Sequence, residues 1–362
     1  MSRQDDAALM RRAIELATAH RTHPNPRVGA IVLDRAGEVI GEGSHLGPGH
    51  PHAEVVALID AGAASRGGTL IVTLEPCNFQ GRTPPCVDAL AAAGVARVVV
   101  GAVDPDARVA GGGIAALRRQ GIKVEEGVLA AEAEALDPAY FHHRRTGRPR
   151  VTLKAALTLD GQLAASDGSS QWITSEAARH DGHLLRSQYD AIMVGAGTVI
   201  SDDPQLDVRI PDYGGPQPRP IVLIGTRDLP RESKILQRRP LLVAGRNLED
   251  NDEVIRVSQG MDGRPVLDEA LRAIALEGYL DILVEGGAGL ADALWSRGLV
   301  DRGVFYLAGK IAGGRGLGLF DGIWNTLEDS VEVDIVDVMK LGPDLRVEWV
   351  LASNRRPLSN IR

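Results

Sequence analysis

Cysteine is scarce in this chain: 362 residues contain two, Cys77 and Cys86, and both fall inside one motif. That confinement argues against ordinary buried thiols. A disulfide between them would abolish the motif's chemistry, so a reducing compartment is expected. Aromatic residues make up 4% against 44% apolar residues overall, so Val, Leu, Ile and Ala must carry the packing. Positive charge is in deficit. A formal net charge of -8 argues against the basic footprint of a nucleic-acid-binding chain, while leaving room for a local basic pocket that takes a phosphate. No apolar run approaches the length of a bilayer span and Met1 to Asp6 is polar, so neither a membrane segment nor a signal peptide is expected and the expected location is the cytoplasm. Two domains are the prior at this length.

What is present is a metal-binding pattern. His52-Ala53-Glu54 is followed one strand later by Pro76-Cys77 and, after a gap of eight residues, by Cys86. Imidazole nitrogen and two thiolates suit zinc and leave a fourth tetrahedral position for water, so His52, Cys77 and Cys86 are the expected ligands. Zinc brings the pKa of that water toward neutrality. Glu54 need not ligate and can shuttle protons between the water and a leaving amine, which is the order of residues expected of zinc-dependent base deaminases. A closed structural zinc with His45 or His50 as fourth ligand would leave Glu54 without a task. The long gap between the cysteines requires a loop able to grip substrate.

The rest of the first half alternates helices and buried strands. A helix over Ala7 to Thr18 stops at His23-Pro24-Asn25-Pro26. Val28 to Leu33 and Val39 to Gly41 read as a hairpin, with Asn25 either a turn residue or a polar finger toward the pocket, and His45 equally open. A helix over Ala53 to Ala64 places His52 and Glu54 in its first turn. A strand over Thr69 to Leu74 delivers Cys77 at its C-terminal end, and Cys86 opens the next helix. A strand over Arg97 to Val103, a helix from Gly111 to Gln120 and a strand at Ile122 to Val124 complete a three-layer α/β/α domain. His142 to Arg150, basic and broken by Gly147 and Pro149, reads as a linker. The domains are expected at 1–146 and 147–362. The second half again alternates, from a strand over Val151 to Leu159 to a terminal hairpin of Val331 to Met339 and Leu345 to Leu351. Lys154, inside the first of these strands, either snorkels at an edge or holds an anion. The run Glu285-Gly286-Gly287-Ala288-Gly289 between strand and helix could approach a phosphate or simply be a packing turn.

These motifs carry a family resemblance. His23-Pro24-Asn25-Pro26, Gly43-Ser44-His45, Pro51-His52-Ala53-Glu54-Val55, Thr73-Leu74-Glu75-Pro76-Cys77, Gly81-Arg82-Thr83-Pro84-Pro85-Cys86 and Asp104-Pro105 resemble the bifunctional deaminase-reductase of riboflavin biosynthesis. Lys154, Leu159-Asp160-Gly161, Ser170 to Thr174, Thr198, Asp202-Asp203-Pro204 and Glu285-Gly286-Gly287 are similar to its reductase half, so the resemblance covers nearly the whole chain. It implies a cytidine-deaminase-like α/β domain followed by a dihydrofolate-reductase-like α/β domain, one zinc ion and NADPH. It also implies a pyrimidine ribosyl phosphate as substrate and a homo-oligomer. Asn25, His45, Arg82 and Asp104 would line the deaminase pocket. Ser170, Arg186, Leu206, Arg209 and Glu285 would face the ribose phosphate at the reductase site. Ala156, Trp172, Thr198, Asp202 and the run Gly287, Ala288, Gly289, Leu290, Ala291, Asp292 and Ala293 would face the cofactor. The chain departs from the family pattern at Phe79, Gln80 and Asp106 in the deaminase loops. It departs again at Ile224, Gly225 and Asp228, where Gly225 matches a cofactor-binding serine and Asp228 would repel a 2′-phosphate if it lay beside one. The competing readings are a paralogue acting on a related nucleotide, a tRNA or nucleotide deaminase with an appended domain, and a non-enzymatic zinc scaffold. The negative net charge disfavours the tRNA reading, and Glu54 with an open metal position disfavours the scaffold.

Overall fold

The structure, a computed structural model, describes residues 3–20, 22–248, 254–314, 316–321 and 326–352. The chain divides into two compact units, Met1–Gly147 and Arg148–Arg362. In the first, helix α1 (Arg3–Ala17) precedes a hairpin of β1 (Gly29–Leu33) and β2 (Val39–Ser44). Then come α2 (Ala53–Ala61), β3 (Thr69–Leu74), α3 (Cys86–Ala93), β4 (Arg97–Ala102), α4 (Gly112–Arg119), β5 (Lys123–Glu126), α5 (Ala130–Glu134) and α6 (Pro138–Thr146). The sheet order is β2-β1-β3-β4-β5, antiparallel around β1 and parallel from β3 to β5.

Alternation along these strands feeds two faces. Ile31, Leu33, Ile71 and Val99 pack with Met10 and Ala13 of α1. Val32, Leu70, Val72, Val98 and Val100 cluster with Ala57 of α2, Leu90 of α3 and Leu117 of α4. Glycine sets how closely α2 sits on β2: a Cβ at Gly43 would stand 2.3 Å from the Ala53 carbonyl oxygen, and one at Gly41 would stand 2.4 Å from that of Ala57. The helix therefore rests on bare backbone, which fixes the first turn that carries the motif.

Two expectations change here. The helix expected to reach Ala64 ends at Ala61 and tightens into a 3₁₀ turn over Gly62–Ser65. The stretch read as a linker is mostly helix: His142 to Thr146 complete α6, because Pro138 starts the helix and Tyr140 and Phe141 bury its apolar side. Gly147, at φ 75°, ends it in the left-handed conformation that favours glycine.

The second unit begins with β6 (Arg150–Thr158), β7 (Gln162–Ala164), α7 (Glu176–Arg186), β8 (Ala191–Gly195), α8 (Ala196–Asp202) and β9 (Arg219–Ile224). It continues with β10 (Leu241–Ala244), β11 (Val254–Arg256), α9 (Leu267–Leu276), β12 (Asp281–Val284), α10 (Ala288–Trp295) and β13 (Arg302–Ala308). It closes with β14 (Leu317–Gly318), β15 (Val333–Leu341) and β16 (Asp344–Leu351). A nine-stranded sheet runs β11-β10-β9-β8-β12-β6-β13-β16-β15, parallel as far as β13 and antiparallel beyond, while β14 pairs with β7. Val151, Leu153, Met193, Ile221 and Ile282 pack with Leu271 and Ile274 of α9 and Ala291 and Leu294 of α10. Ile192, Val194, Val222 and Leu283 pack with Leu185 of α7 and Val199 of α8. Ser175 caps α7, its hydroxyl accepting from the Ala178 amide at 3.4 Å.

Candidate active sites

In the first unit the motif converges at the C-terminal end of β3. His52 is the N-cap of α2, Cys77 follows β3 and Cys86 is the first residue of α3. His52 Nδ1 lies 3.1 Å from Cys86 Sγ and 3.6 Å from Cys77 Sγ, and the three ligand atoms all lie within 4.8 Å of one another. Zinc bond lengths imply tetrahedral edges of about 3.5–3.8 Å for one nitrogen and two sulfurs, so this donor set fits the ion. Thr83 Oγ1 sits 3.3 Å from His52 Nε2, where it accepts from the ring N–H once Nδ1 is the ligand. The Cys86 amide donates to Cys77 Sγ at 3.4 Å. Hydrogen bonds from Cys86 and His52 pull the Cys77 thiol down, while the same sulfur pairing and burial push Cys86 up.

A cavity of about 310 Å³ opens beside these residues and is lined by His52, Glu54 and Cys77 together with Asn25, His45, Arg82 and Asp104. Glu54 is buried, and burial pushes its carboxyl up. Asn25 is a polar finger as well as a turn residue: its amide nitrogen lies 3.0 Å from His45 Nε2, while His45 Nδ1 lies 3.1 Å from the Pro51 carbonyl. That carbonyl can only accept, so Nδ1 carries the proton and Nε2 takes the Asn25 amide. Cys86 is fully buried behind the cavity wall.

Several residues of this pocket escaped the sequence reading. Buried Glu75 accepts from the amides of Asp104, Gly111 and Ile114, tying the end of β3 to the loop before α4. Tyr140 donates to Asp104 at 3.0 Å, and burial pushes the Asp104 carboxyl up to about 6. Arg108 grips Asp106 at 2.9 and 2.6 Å, Arg144 approaches the same carboxylate at 3.2 Å, and these partners hold Asp106 down at about 2. The Arg108 guanidinium lies 4.7 Å from the Phe79 ring centroid. The two departures at Phe79 and Asp106 are thus one feature, joined by Arg108.

In the second unit Glu285, just past β12, accepts from Arg186 of α7 at 2.6 and 3.0 Å and from Lys154 of β6 at 3.4 Å. Burial pushes Glu285 up, but Arg186 and Lys154 outweigh it and hold the carboxyl down at about 2. Lys154 therefore holds an anion, and that anion is Glu285. Arg186 also donates to the Asp207 carbonyl at 2.9 Å, and the Arg209 amide donates to His183 Nδ1 at 3.2 Å, which docks the 206–209 turn onto α7. Leu206 does not offer its side chain to a ligand: it is 3% exposed, in the hydrophobic cluster with Leu185 and Val222. Ser170 is exposed in the loop before α7.

A second cavity, about 480 Å³, opens at the C-terminal ends of β8 and β9. Of the expected cofactor residues it gathers Thr198, Gly287, Gly289, Leu290 and Ala293. The Gly287 amide donates to Thr198 Oγ1 at 3.1 Å, joining the starts of α10 and α8. Ala291 turns instead into the core, fully buried, because it lies on the face of α10 that packs on the sheet. Asp292 accepts from the Asp321 amide. Ala156, Asp202 and Ala288 lie outside the wall of this cavity, as does Trp172, which is 65% exposed under the Arg179 guanidinium. Gly225 is in the wall, with Thr226, Arg227 and a loop from Gly260 to Arg264 that the sequence reading missed. Asp228 is not: its side chain is 81% exposed and paired with Arg246. Among the described residues no helix is long and apolar enough to cross a membrane.

A His-Cys-Cys centre with a buried glutamate, carried in one chain with a second unit whose parallel sheet ends in a glycine-lined cavity, defines the class of bifunctional deaminase-reductases. Family models divide the chain in the same sense: the cytidine and deoxycytidylate deaminase zinc-binding region matches residues 3–102, and the RibD C-terminal domain matches residues 149–347. The chain belongs to the RibD family of riboflavin biosynthesis enzymes, deaminase and reductase in one polypeptide. It is 40% identical to riboflavin biosynthesis protein RibD of Escherichia coli K12 over 365 residues, covering 95% of this chain and 99% of that one. Identity to the Mycobacterium tuberculosis RibD is 41% over 332 residues, 91% of this chain and 92% of that one. Acinetobacter baumannii RibD superposes with a TM-score of 0.86 at 36% identity, over 97% of this chain and 100% of that one. A Thermotoga maritima structure described as a diaminohydroxyphosphoribosylaminopyrimidine deaminase/5-amino-6-(5-phosphoribosylamino)uracil reductase gives 0.82 at 33% identity, over 97% and 99%.

Proposed function

We propose that the chain carries out two successive steps on a small pyrimidine ribosyl phosphate. In the unit Met1–Gly147, 2,5-diamino-6-(5-phosphoribosylamino)pyrimidin-4(3H)-one is hydrolytically deaminated; in the unit Arg148–Arg362, the ribosyl group of the resulting 5-amino-6-(5-phosphoribosylamino)uracil is reduced to ribityl at the expense of NADPH. The observation that carries this reading is the clustering of the His52, Cys77 and Cys86 donor atoms at a cavity whose wall brings His52 and Cys77 together with Glu54, Asn25, His45, Arg82 and Asp104. The substrate names are those of the Thermotoga relative.

When bound, zinc supplies a Lewis acid that makes a water nucleophilic near neutral pH. Glu54, buried at the cavity wall, takes a proton from that water and returns one to the departing amine, so that water and the aminopyrimidine become the pyrimidinone and ammonia. Asn25 and His45, fixed by their mutual hydrogen bond, orient the ring. Asp104 accepts from the pyrimidine, and Arg82 at the rim meets the phosphate. NADPH, when bound in the second cavity, supplies a hydride to the sugar. Gly287 and Gly289 let backbone amides approach its phosphates, Thr198 holds Gly287 in place, and Arg186, Lys154 and Glu285 form the polar floor next to the sugar.

A homo-oligomer is the expected state. β15 forms one edge of the nine-stranded sheet with Ile335 64% and Val338 55% exposed, an apolar edge that pairing with a second copy would cover. The cytoplasm is the expected location. The test is to incubate the purified, zinc-loaded protein with the diaminopyrimidinone phosphate and NADPH and follow products by mass: a shift for amine-to-carbonyl exchange and then a gain of two hydrogens is expected. Absence of the first shift in protein that retains its zinc would overturn the deaminase assignment.

A further inference from the structure

Asp137, Tyr140 and Arg144 fall at intervals of three and four, the spacing of one helix face, and α6 turns all three toward the deaminase cavity's walls. Asp137, the N-cap of α6, accepts from the Arg27 amide and, at 3.1 Å, from the Arg27 guanidinium, two residues past Asn25. Tyr140 donates to Asp104, and Arg144 meets the Asp106 carboxylate at 3.2 Å. A helix that lies outside the zinc motif thus holds both the 25–27 segment and the 104–106 loop.

The contact to Asp104 is the buried one. Tyr140 is 6% exposed and Asp104 7%, and both line the cavity beside His52 and Cys77. The hydroxyl lies 3.0 Å from Asp104 Oδ1 and 3.2 Å from Oδ2. Oδ1 also receives the Asp106 amide at 2.9 Å, while Oδ2 has no other donor among the described residues. The charged groups around this carboxyl are Glu75 at the end of β3, Asp106 and Arg108 of its own loop, and Arg144 of α6, whose guanidinium lies 5.0 Å from the Tyr140 ring centroid. Burial, with Asp106 and Glu75 behind it, opposes ionisation of Asp104, and the Asp106 amide and the Tyr140 hydroxyl favour it. Burial also pushes the Tyr140 hydroxyl up, so it remains a donor across the range in which Asp104 titrates.

We propose that Tyr140 is a positioning residue of the deamination step: held on α6, its hydroxyl turns the Asp104 carboxylate so that Oδ2 accepts from the pyrimidine. The inference rests on reading the first cavity as the pyrimidine site. A carboxylate buried there without this donor would take up a proton and present a hydroxyl to the ring where an acceptor is needed. The tyrosine therefore extends the pH range of deamination on the acid side without touching the metal ligands.

The test is Y140F in the full-length, zinc-loaded protein, which keeps the buried ring and removes only the hydroxyl. Carbon-13 NMR of labelled aspartate carboxyls, with Asp104 assigned through D104N, should show its titration midpoint about 1 pH unit higher in Y140F than in the parent. Deamination kcat/KM in Y140F should be about tenfold below the parent at pH 5.5 and within about threefold of it at pH 8.5, with zinc content unchanged. In a D104N background, adding Y140F should leave the pH profile where it is. An unmoved Asp104 midpoint, an equal loss of kcat/KM at both pH values, or the same acid-side loss in the D104N background overturns the proposal and leaves the pyrimidine reading of the cavity intact. A zinc-loaded parent protein that does not deaminate the diaminopyrimidinone phosphate overturns both.

Discussion

Asp104 and Asp106 are two residues apart and titrate in opposite directions, which makes them separable by pH. Asp104 is buried with Tyr140 as its side-chain donor, and its carboxyl is pushed from 3.8 up to about 6. The folded state therefore holds a proton that the unfolded chain has lost, so this group favours folding below about pH 4 and that contribution is lost as pH rises through 6. At 1.36 kcal/mol per unit the difference is about 2–3 kcal/mol. The expectation for D104N is that its stability relative to the parent improves by about that amount between pH 4 and pH 7. Urea unfolding at a series of pH values reads this out, and a constant offset across the range would refute it. Asp106, held down at about 2 by Arg108 and Arg144, has the opposite sign: its contribution is present above pH 3.8 and lost as pH falls toward 2. D106N should release Arg108 from its carboxylate and loosen its stacking on Phe79. The measurable outcome is a several-fold change in KM for deamination with zinc content unchanged.

At the scale of elements, the zinc centre depends on how α2 sits on β2. Gly43 meets the Ala53 carbonyl with no space for a side chain, and Ala53 lies between His52 and Glu54. G43V should lift the first turn of α2 and weaken zinc binding by about tenfold or more, since metal affinity depends on how ligands are oriented. Zinc retention against a chelator measures this, and parental retention in a folded G43V would show that the contact does not position the site. The elements legible in sequence were those whose burial writes itself into composition. β3 and β8 fall where their apolar runs do, because strands covered on both faces have little room for polar residues. The zinc ligands were legible because their chemistry restricts residue type. α6 was not, since its basic last turn and following glycine look like a linker while only Tyr140 and Phe141 betray a buried face. The wall of the second cavity was legible only in part. Glycine backbone and arginines from the loop at 260–264 carry no local pattern, and Leu206 and Ala291 sit in ligand-site segments with side chains that serve the core.

For the whole molecule the central question is whether one chain holds two independent catalysts. Each unit has its own sheet, its own hydrophobic cluster and its own cavity, and the residues of each cavity come from one unit alone. Arg148 is paired with Asp301 at 2.7 Å and Arg150 with Asp281, so the first residues of the second unit are anchored within it. A fragment starting at Arg148 is therefore expected to fold cooperatively. Two substitutions in the full-length protein probe the chemistry. E54A removes the proton shuttle but no metal ligand, so zinc should remain while deamination falls by about 10²- to 10⁴-fold. Given substrate that is already deaminated, the same variant should oxidise NADPH at the parental rate. T198V removes the hydroxyl that receives the Gly287 amide, so reduction should fall while deamination continues unchanged. Product analysis with each substrate separates these outcomes. If E54A lost both activities while keeping its zinc and its fold, the two centres would have to be coupled, because no residue of the second cavity lies in the unit that carries Glu54.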